Sequence, residues 1–207
     1  MRLPARLRRL TPDGLRDQPR VRALALGAGL IPPRTMHSEL DAEVLLAAAR
    51  GARRVVEIGV YEGASALSLQ RELDGGSELH LIDPFGTSAD ALPAGWGASE
   101  WATRRALARG ERQRVRGERA GAVEVVWHVA LSQDVARTWS SPIDLVFIDG
   151  DHSEAGCERD WLDWHRFVVP GGCVVFHDAR AGQPGGRGLP GPTAVVNRHL
   201  RGGAAPD

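Results

Sequence analysis

The chain reads as an α/β sandwich, a mostly parallel sheet between helices, and three observations predict it. Apolar runs at 55–58, 79–82, 123–127, 143–148 and 173–176 alternate with segments of helical periodicity, the pattern that builds βαβ units. The first run passes through Glu57-Ile58-Gly59-Val60-Tyr61-Glu62-Gly63 into a helix-forming segment, which is a strand, a tight turn and a helix. The run at 145–148 is apolar at every position, as in a strand buried on both faces.

At 207 residues the chain is long enough for one domain with a sizeable core. Its 26 basic residues, all arginine, balance 26 acidic ones. The zero net charge gives no whole-molecule attraction to nucleic acid or an anionic membrane. Cys157 and Cys173 are too few for a disulfide framework and fit a reducing compartment, each as a small buried hydrophobe. Residues 1–34 form a basic, loop-like segment ahead of a domain at 35–207. The apolar stretch at 23–31 holds Gly27 and Gly29 and lacks a cleavage site, which argues against secretion. No run reaches the roughly 18 apolar residues of a membrane span, so the expected location is cytoplasmic.

Ser38 and Asp41 approximate a capping box for a helix with Leu40, Val44, Leu45 and Ala48 at helical spacing, ending near Gly51 and packing on the first strand. A helix at 65–73 stops at Asp74-Gly75-Gly76. Residues 84–98 are loop-like, and an arginine-dense helix follows at 99–116; together 84–120 read as a lid or insert. The arginines of that helix, among them Arg104, Arg105 and Arg109, either form a solvated face or meet an anionic substrate such as the diphosphate of a nucleotide sugar. Ser132 caps a short helix ending near 139. Ser153 caps a helix carrying Trp161, Trp164 and Phe167, and Pro170-Gly171-Gly172 turns the chain into the strand at 173–176. Residues 179–192 are rich in glycine and proline and lie where they can shape an acceptor pocket; a helix follows at 193–200.

In open α/β sheets ligands sit outside the carboxyl ends of the strands. Glu57-x-Gly59-x-x-x-Gly63 differs from the Gly-x-Gly-x-x-Gly of dinucleotide binders, and Asp83, twenty residues after Gly63, ends the second strand where a carboxylate can accept from both hydroxyls of a ribose. A nucleoside without phosphates fits both. The strand at 143–148 ends in Asp149-Gly150-Asp151-His152, and the next in His177-Asp178. Neighbouring strands lie about 4.8 Å apart, so Asp149 and Asp178 can share one cation. Oxygen ligands suit Mg²⁺, Mn²⁺ or Ca²⁺; His177 as a third ligand tilts the site toward a transition metal.

The glycine motif and Asp83 resemble motifs I and II of the class I S-adenosylmethionine-dependent methyltransferases. The resemblance implies a Rossmann-like fold, with Glu57, Gly59, Tyr61, Gly63 and Ser65 lining the methionine end of the cofactor and Asp83 holding its ribose. Ser132-Gln133-Asp134 resembles the tripeptide of catechol O-methyltransferase and its relatives, which gives adenine contacts to Ser132 and Gln133. Residues 35–37 then lie where the chain covers the cofactor, or are an ordinary helix lead-in.

Residues 143–178 resemble the metal-dependent sugar and small-molecule O-methyltransferases, a group that includes macrocin-type enzymes and cephalosporin-hydroxylase-like proteins. The resemblance implies Asp149, His177 and Asp178 as metal residues, with Asp149 also counted beside the cofactor, and Mg²⁺ or Mn²⁺ as the ion. Asp151 by family position, or His152 by its ordinary pKa, takes the proton. The reaction implied is transfer of a methyl group to a hydroxyl of a small molecule, a sugar or nucleotide sugar, or a glycosylated natural product. The rivals are an accessory protein acting in methoxylation and a non-catalytic cofactor-binding scaffold. The family's closing C-terminal hairpin has no counterpart, so either the chain is trimmed or another chain covers the edge, which is compatible with a homo-oligomer.

Overall fold

The structure, a computed structural model, describes residues 18–86, 98–116, 121–182 and 188–201. Strands β1 (Arg54–Ile58), β2 (Glu78–Ile82), β3 (Glu124–His128), β4 (Ile143–Ile148) and β5 (Val168–Phe176) pair in the order β3-β2-β1-β4-β5. Every pairing is parallel. Strand order reverses between β1 and β4, which opens a crevice beyond their carboxyl ends. The sheet separates two cores because alternate residues of a strand face opposite ways. Val55, Leu79, Leu81 and Leu145 pack on one side, and Val56, Ile58, Ile82 and Val146 on the other.

Helix α1 (Pro19–Ala28) lies in the segment expected as loop. Pro19 opens it, and Gly29, at φ 78°, ends it in the left-handed region. Helix α2 (Glu39–Ala49) carries the full capping box: Ser38 Oγ accepts from Asp41 N at 3.2 Å, and Asp41 Oδ2 accepts from Ser38 N at 3.0 Å. Its buried side chains are Leu45 and Ala49, whereas Leu40 and Val44 are exposed, since α2 meets the core through one narrow stripe. Helix α3 (Ala64–Glu72) follows the glycine turn.

Helix α4 (Glu100–Arg116) is the arginine-rich helix, and its arginines are largely committed to the fold. Arg105 and Arg109 donate to the carbonyls of Gly27 and Leu26, closing the last turn of α1. The Arg114 side chain is buried and donates to Leu73 O at 2.8 Å. Arg104 pairs with Glu100 at 2.7 Å and stands 4.6 Å from the Trp127 ring. Arg114 is thus part of the interior, and Arg105 and Arg109 are held by α1, while Arg104 and Arg105 remain partly open to solvent. Arg112 is exposed, as the solvated reading expects. Residues 87–97 and 117–120 of the expected lid lie outside the described residues.

Helix α5 (Ser132–Ala136) has Leu131, not Ser132, at its N-cap. Helix α6 (Glu154–Trp164) is capped by Ser153, whose Oγ accepts from Gly156 N at 3.1 Å. β5 starts earlier than expected and runs through Pro170-Gly171-Gly172, with a register shift between the pairs Ile143–Val168 and Leu145–Cys173. A bulged strand carries a proline and a left-handed glycine that a regular central strand would not. Helix α7 (Pro190–Leu200) then backs onto the β4 end: a Cβ on Gly191 would lie 2.4 Å from His152 O. Among the described residues the sheet has these five strands, and no helix is long and apolar enough to cross a membrane.

Candidate functional site at the carboxyl end of the sheet

The loop after β1 and the loop after β4 press together at the crevice. A Cβ on Gly59, φ 87°, would stand 2.1 Å from the carbonyl oxygen of Asp149, so only glycine allows this approach. Asp83, at the end of β2, builds the same loop. Its Oδ2 accepts from the amides of Val60 and Tyr61 at 2.8 Å each, and its Oδ1 from Phe85 N at 2.7 Å. Its remaining acceptor capacity lies on Oδ1, so the two-hydroxyl ribose contact expected of this residue is narrowed to that oxygen. Tyr61, Phe85 and Asp178 all hold φ near 50°, unusual for side-chain-bearing residues and concentrated at the ends of β1, β2 and β5.

Glu57 lies beneath the loop, fully buried. Ser65 donates to its Oε1, and its Oε2 is buried without a partner. Burial, reinforced by the nearby Asp149 and Asp83 carboxylates, raises its pKa well above the usual carboxylate range despite the Ser65 hydrogen bond. The site thus rests on a carboxyl that favours its protonated form. Glu62, which the sequence reading did not single out, ties the N-terminal segment to this loop: Arg22 forks onto it, with Nη2 at 2.6 Å, and Arg34 N donates to it at 2.7 Å.

Asp149 is the centre of the second half. His152 Nε2 stands 3.1 Å from Oδ1, and His37 Nε2 3.2 Å from Oδ2. His177 Nδ1 is 2.8 Å from Oδ1 but off the line a hydrogen bond needs, so that nitrogen is buried without a hydrogen-bond partner. Asp178 Oδ2 is 3.5 Å from His177 Nδ1 and 3.9 Å from His152 Nδ1. Burial works to raise the pKa of Asp149, and the imidazoles of His152, His177 and His37 outweigh it and hold the carboxyl below its usual range. The Asp149 hydrogen bond raises the pKa of His152; for His177, burial lowers it and the Asp149 and Asp178 carboxylates raise it further than burial takes away.

Asp149, His177, Asp178 and His152 therefore come together as the sequence places them, joined by His37. The sequence marked it only as part of residues 35–37, read as covering the cofactor or as an ordinary helix lead-in. Asp151 points elsewhere: its Oδ1 accepts from Ser153 N at 2.8 Å, and a Cβ on Gly156 would collide with its carboxylate. The donor set fits a cation, because the buried His177 Nδ1 faces the Asp149 carboxylate at 2.8 Å without a well-directed hydrogen bond, and two groups, His37-Asp149-His177 and His152-His177-Asp178, each hold their ligand atoms within 4.8 Å.

At the end of β3, both candidate adenine residues are engaged by consecutive residues of α6. The Ser132 hydroxyl donates to Asp160, and Arg159 donates to Gln133 Oε1 at 3.0 Å. Burial pushes the Asp160 carboxyl up to about 6. Among the described residues the Gln133 amide NH₂ has no hydrogen-bond partner.

Five parallel strands, a glycine turn at the switch point and acids at the ends of β1, β2, β4 and β5 define a class I methyltransferase fold. Residues 56–179, more than half of the chain, match the family described as methyltransferase domain, and the chain belongs to that family, of the S-adenosylmethionine-dependent class. Solved structures share the fold. The cofactor-bound protein Rv0187 from MTB is 22% identical over 89% of this chain and 77% of its own, with a TM-score of 0.55. The O-methyltransferase TomG from Streptomyces achromogenes, involved in tomaymycin synthesis and solved with SAM, is 19% identical over 90% and 77%, at 0.51. The TDP-rhamnose 3'-O-methyltransferase CalS11, an enzyme in calicheamicin biosynthesis, is 15% identical over 81% and 72%, at 0.51.

Proposed function

We propose that the protein transfers the methyl group of S-adenosylmethionine to a hydroxyl of a small molecule, a sugar or glycosylated natural product, with a divalent ion at Asp149. The observation that carries this reading is the contact between Gly59 and the Asp149 carbonyl, which sets the loop expected to hold the donor directly against the imidazole and carboxylate cluster expected to hold the acceptor. Such abutment is what in-line transfer requires of two bound reactants. The activities printed for TomG and CalS11 agree with small-molecule O-methylation.

In this reading Asp83 orders the loop through Val60 and Tyr61, and Gln133 offers its amide to the adenine. Asp149 with His177 and Asp178 holds the ion, which when bound polarises the acceptor hydroxyl. His152 takes the hydroxyl proton. Its hydrogen bond to Asp149 orients the ring and supports imidazolium, whereas Asp151 spends its carboxylate on the first turn of α6. Arg105 and Arg109, bound to α1, are not assigned to substrate. The test is release of S-adenosylhomocysteine from S-adenosylmethionine over a panel of glycosides and nucleotide sugars, with added divalent metal or with chelator. Release that needs both acceptor and metal is expected. Tight donor binding with no transfer to any hydroxyl, metal present, would overturn the enzyme reading in favour of a cofactor-binding scaffold.

A further inference from the structure

His37 reaches the site from the segment between α1 and α2, and that segment is held in place before any ligand arrives. Arg34 N is bound to Glu62, and Ser38 caps α2, so His37 lies between two fixed points with its side chain only 9% exposed. Its Nε2 stands 3.2 Å from Asp149 Oδ2, and its ring meets that of His177 edge-on at 4.6 Å. His177 Nδ1, without a hydrogen-bond partner, stands 2.8 Å from the other oxygen of the same carboxylate. An ion about 2.1 Å from each ligand spaces neighbouring ligands about 3.0 to 3.4 Å apart, so both pairs already stand close to the separations of a coordinated set.

We infer that His37, His177 and Asp149 form a two-imidazole, one-carboxylate site that takes a transition metal ion of the Fe²⁺, Co²⁺ or Zn²⁺ kind and discriminates against Mg²⁺. The inference rests on the metal-assisted reading above, puts His37 in place of Asp178 as the third ligand, and names the ion's class. Imidazole nitrogen suits these ions, whereas Mg²⁺ seeks octahedral oxygen and sheds its waters reluctantly. A set with two nitrogens for one carboxylate is a poor match for Mg²⁺ and leaves positions open for an acceptor oxygen. His152, hydrogen-bonded to Asp149 Oδ1, remains for proton transfer, and Asp178, 3.5 Å from His177 Nδ1, for support. The N-terminal segment is then part of the active site, because the ion would tie it to β4 and β5.

The experiment titrates the metal-stripped full-length chain with Co²⁺, Zn²⁺ and Mg²⁺ by calorimetry and follows Co²⁺ by its visible absorption. Co²⁺ and Zn²⁺ are expected to bind at least tenfold more tightly than Mg²⁺. His37→Gln and His177→Asn should each weaken Co²⁺ at least tenfold and alter its spectrum, while S-adenosylhomocysteine binding, measured on the same samples, stays within threefold and reports an intact fold. Mg²⁺ binding as tightly as Co²⁺, or a wild-type Co²⁺ affinity and spectrum in His37→Gln, overturns the inference. A His37-dependent Co²⁺ spectrum in a protein that transfers no methyl group would sink the proposed function and leave the metal site standing.

Discussion

At the amino ends of the strands, Asp144 Oδ2 accepts from the amides of Arg53 and Arg54 at 2.8 Å each, and Arg54 forks onto Glu78, which accepts from His80 Nε2 at 3.1 Å. From the middle of β2, His80 Nδ1 carries the chain to His128 Nε2, at the carboxyl end of β3, at 3.1 Å. At the carboxyl ends the same residue types are left incomplete: Glu57 Oε2 and His177 Nδ1 are buried without hydrogen-bond partners, and Tyr61, Phe85 and Asp178 hold left-handed backbone. Buried polar groups are almost always satisfied, and strain persists where something else repays it. The contrast separates a polar network that completes itself inside the fold from one that the proposed ion and cofactor would complete.

The largest expected effect breaks the contrast from its open end. Asp149→Asn should cost roughly 10³-fold in kcat/KM, since metal assistance is worth several kcal/mol, with S-adenosylhomocysteine affinity within threefold. Asp144→Asn, at the closed end, should leave kinetics alone and lower unfolding stability by about 1–2 kcal/mol in urea titration, the worth of charge-assisted hydrogen bonds weakened but not removed. Next in size is the neighbouring pair: His152→Gln should lower kcat about 10²-fold at saturating donor, and Asp151→Asn should stay within threefold, because asparagine can still accept from Ser153 N. Equal losses would return the base to Asp151.

None of the closed network was read from sequence, whereas much of the open one was, and the reason is locality. The β4 run and the Gly59–Gly63 turn signal themselves over a few consecutive residues, and a buried parallel strand carries its terminal acid to the carboxyl end. Asp149 and Asp178 followed directly. Three things did not. The hold of Arg105 and Arg109 on Leu26 and Gly27 is a side-chain-to-carbonyl contact between distant segments, with no period to betray it. Helix α1 was hidden by the arginines and glycines in its sequence, since its stability comes from Leu26 packing on Ala102 and Ala106. Asp151 and His152 are adjacent, and only the turn into α6 decides which of them faces Asp149.

Smaller effects sharpen the boundary between the two ends. Asp160 supports the Ser132 turn with a carboxyl pushed up to about 6 by burial. Its raised folded-state pKa means the folded state keeps a proton that the unfolded state releases, so this group's contribution to stability is present below about pH 4 and is lost as pH rises through about 6. Asp160→Asn should remove that decline, on the order of 2 kcal/mol, when urea midpoints at pH 4.5 and 6.5 are compared with wild type. Smaller still, Arg109→Ala should lower the melting temperature by loosening α1 from α4, a loss of about 1 kcal/mol, with the acceptor KM unchanged. A raised KM would bring the arginine helix back to the substrate.

Asp83 is where the open end meets the proposed cofactor, and calorimetric titration of the purified chain with S-adenosylhomocysteine tests that assignment. Saturable one-to-one binding is expected, weakened at least tenfold in Asp83→Ala, which loses its ligand contact and leaves the Val60 and Tyr61 amides without their acceptor. Wild-type protein that stays folded and binds no S-adenosylhomocysteine at millimolar concentration would contradict the account, and unchanged affinity in a folded Asp83→Ala would remove that residue from the cofactor site.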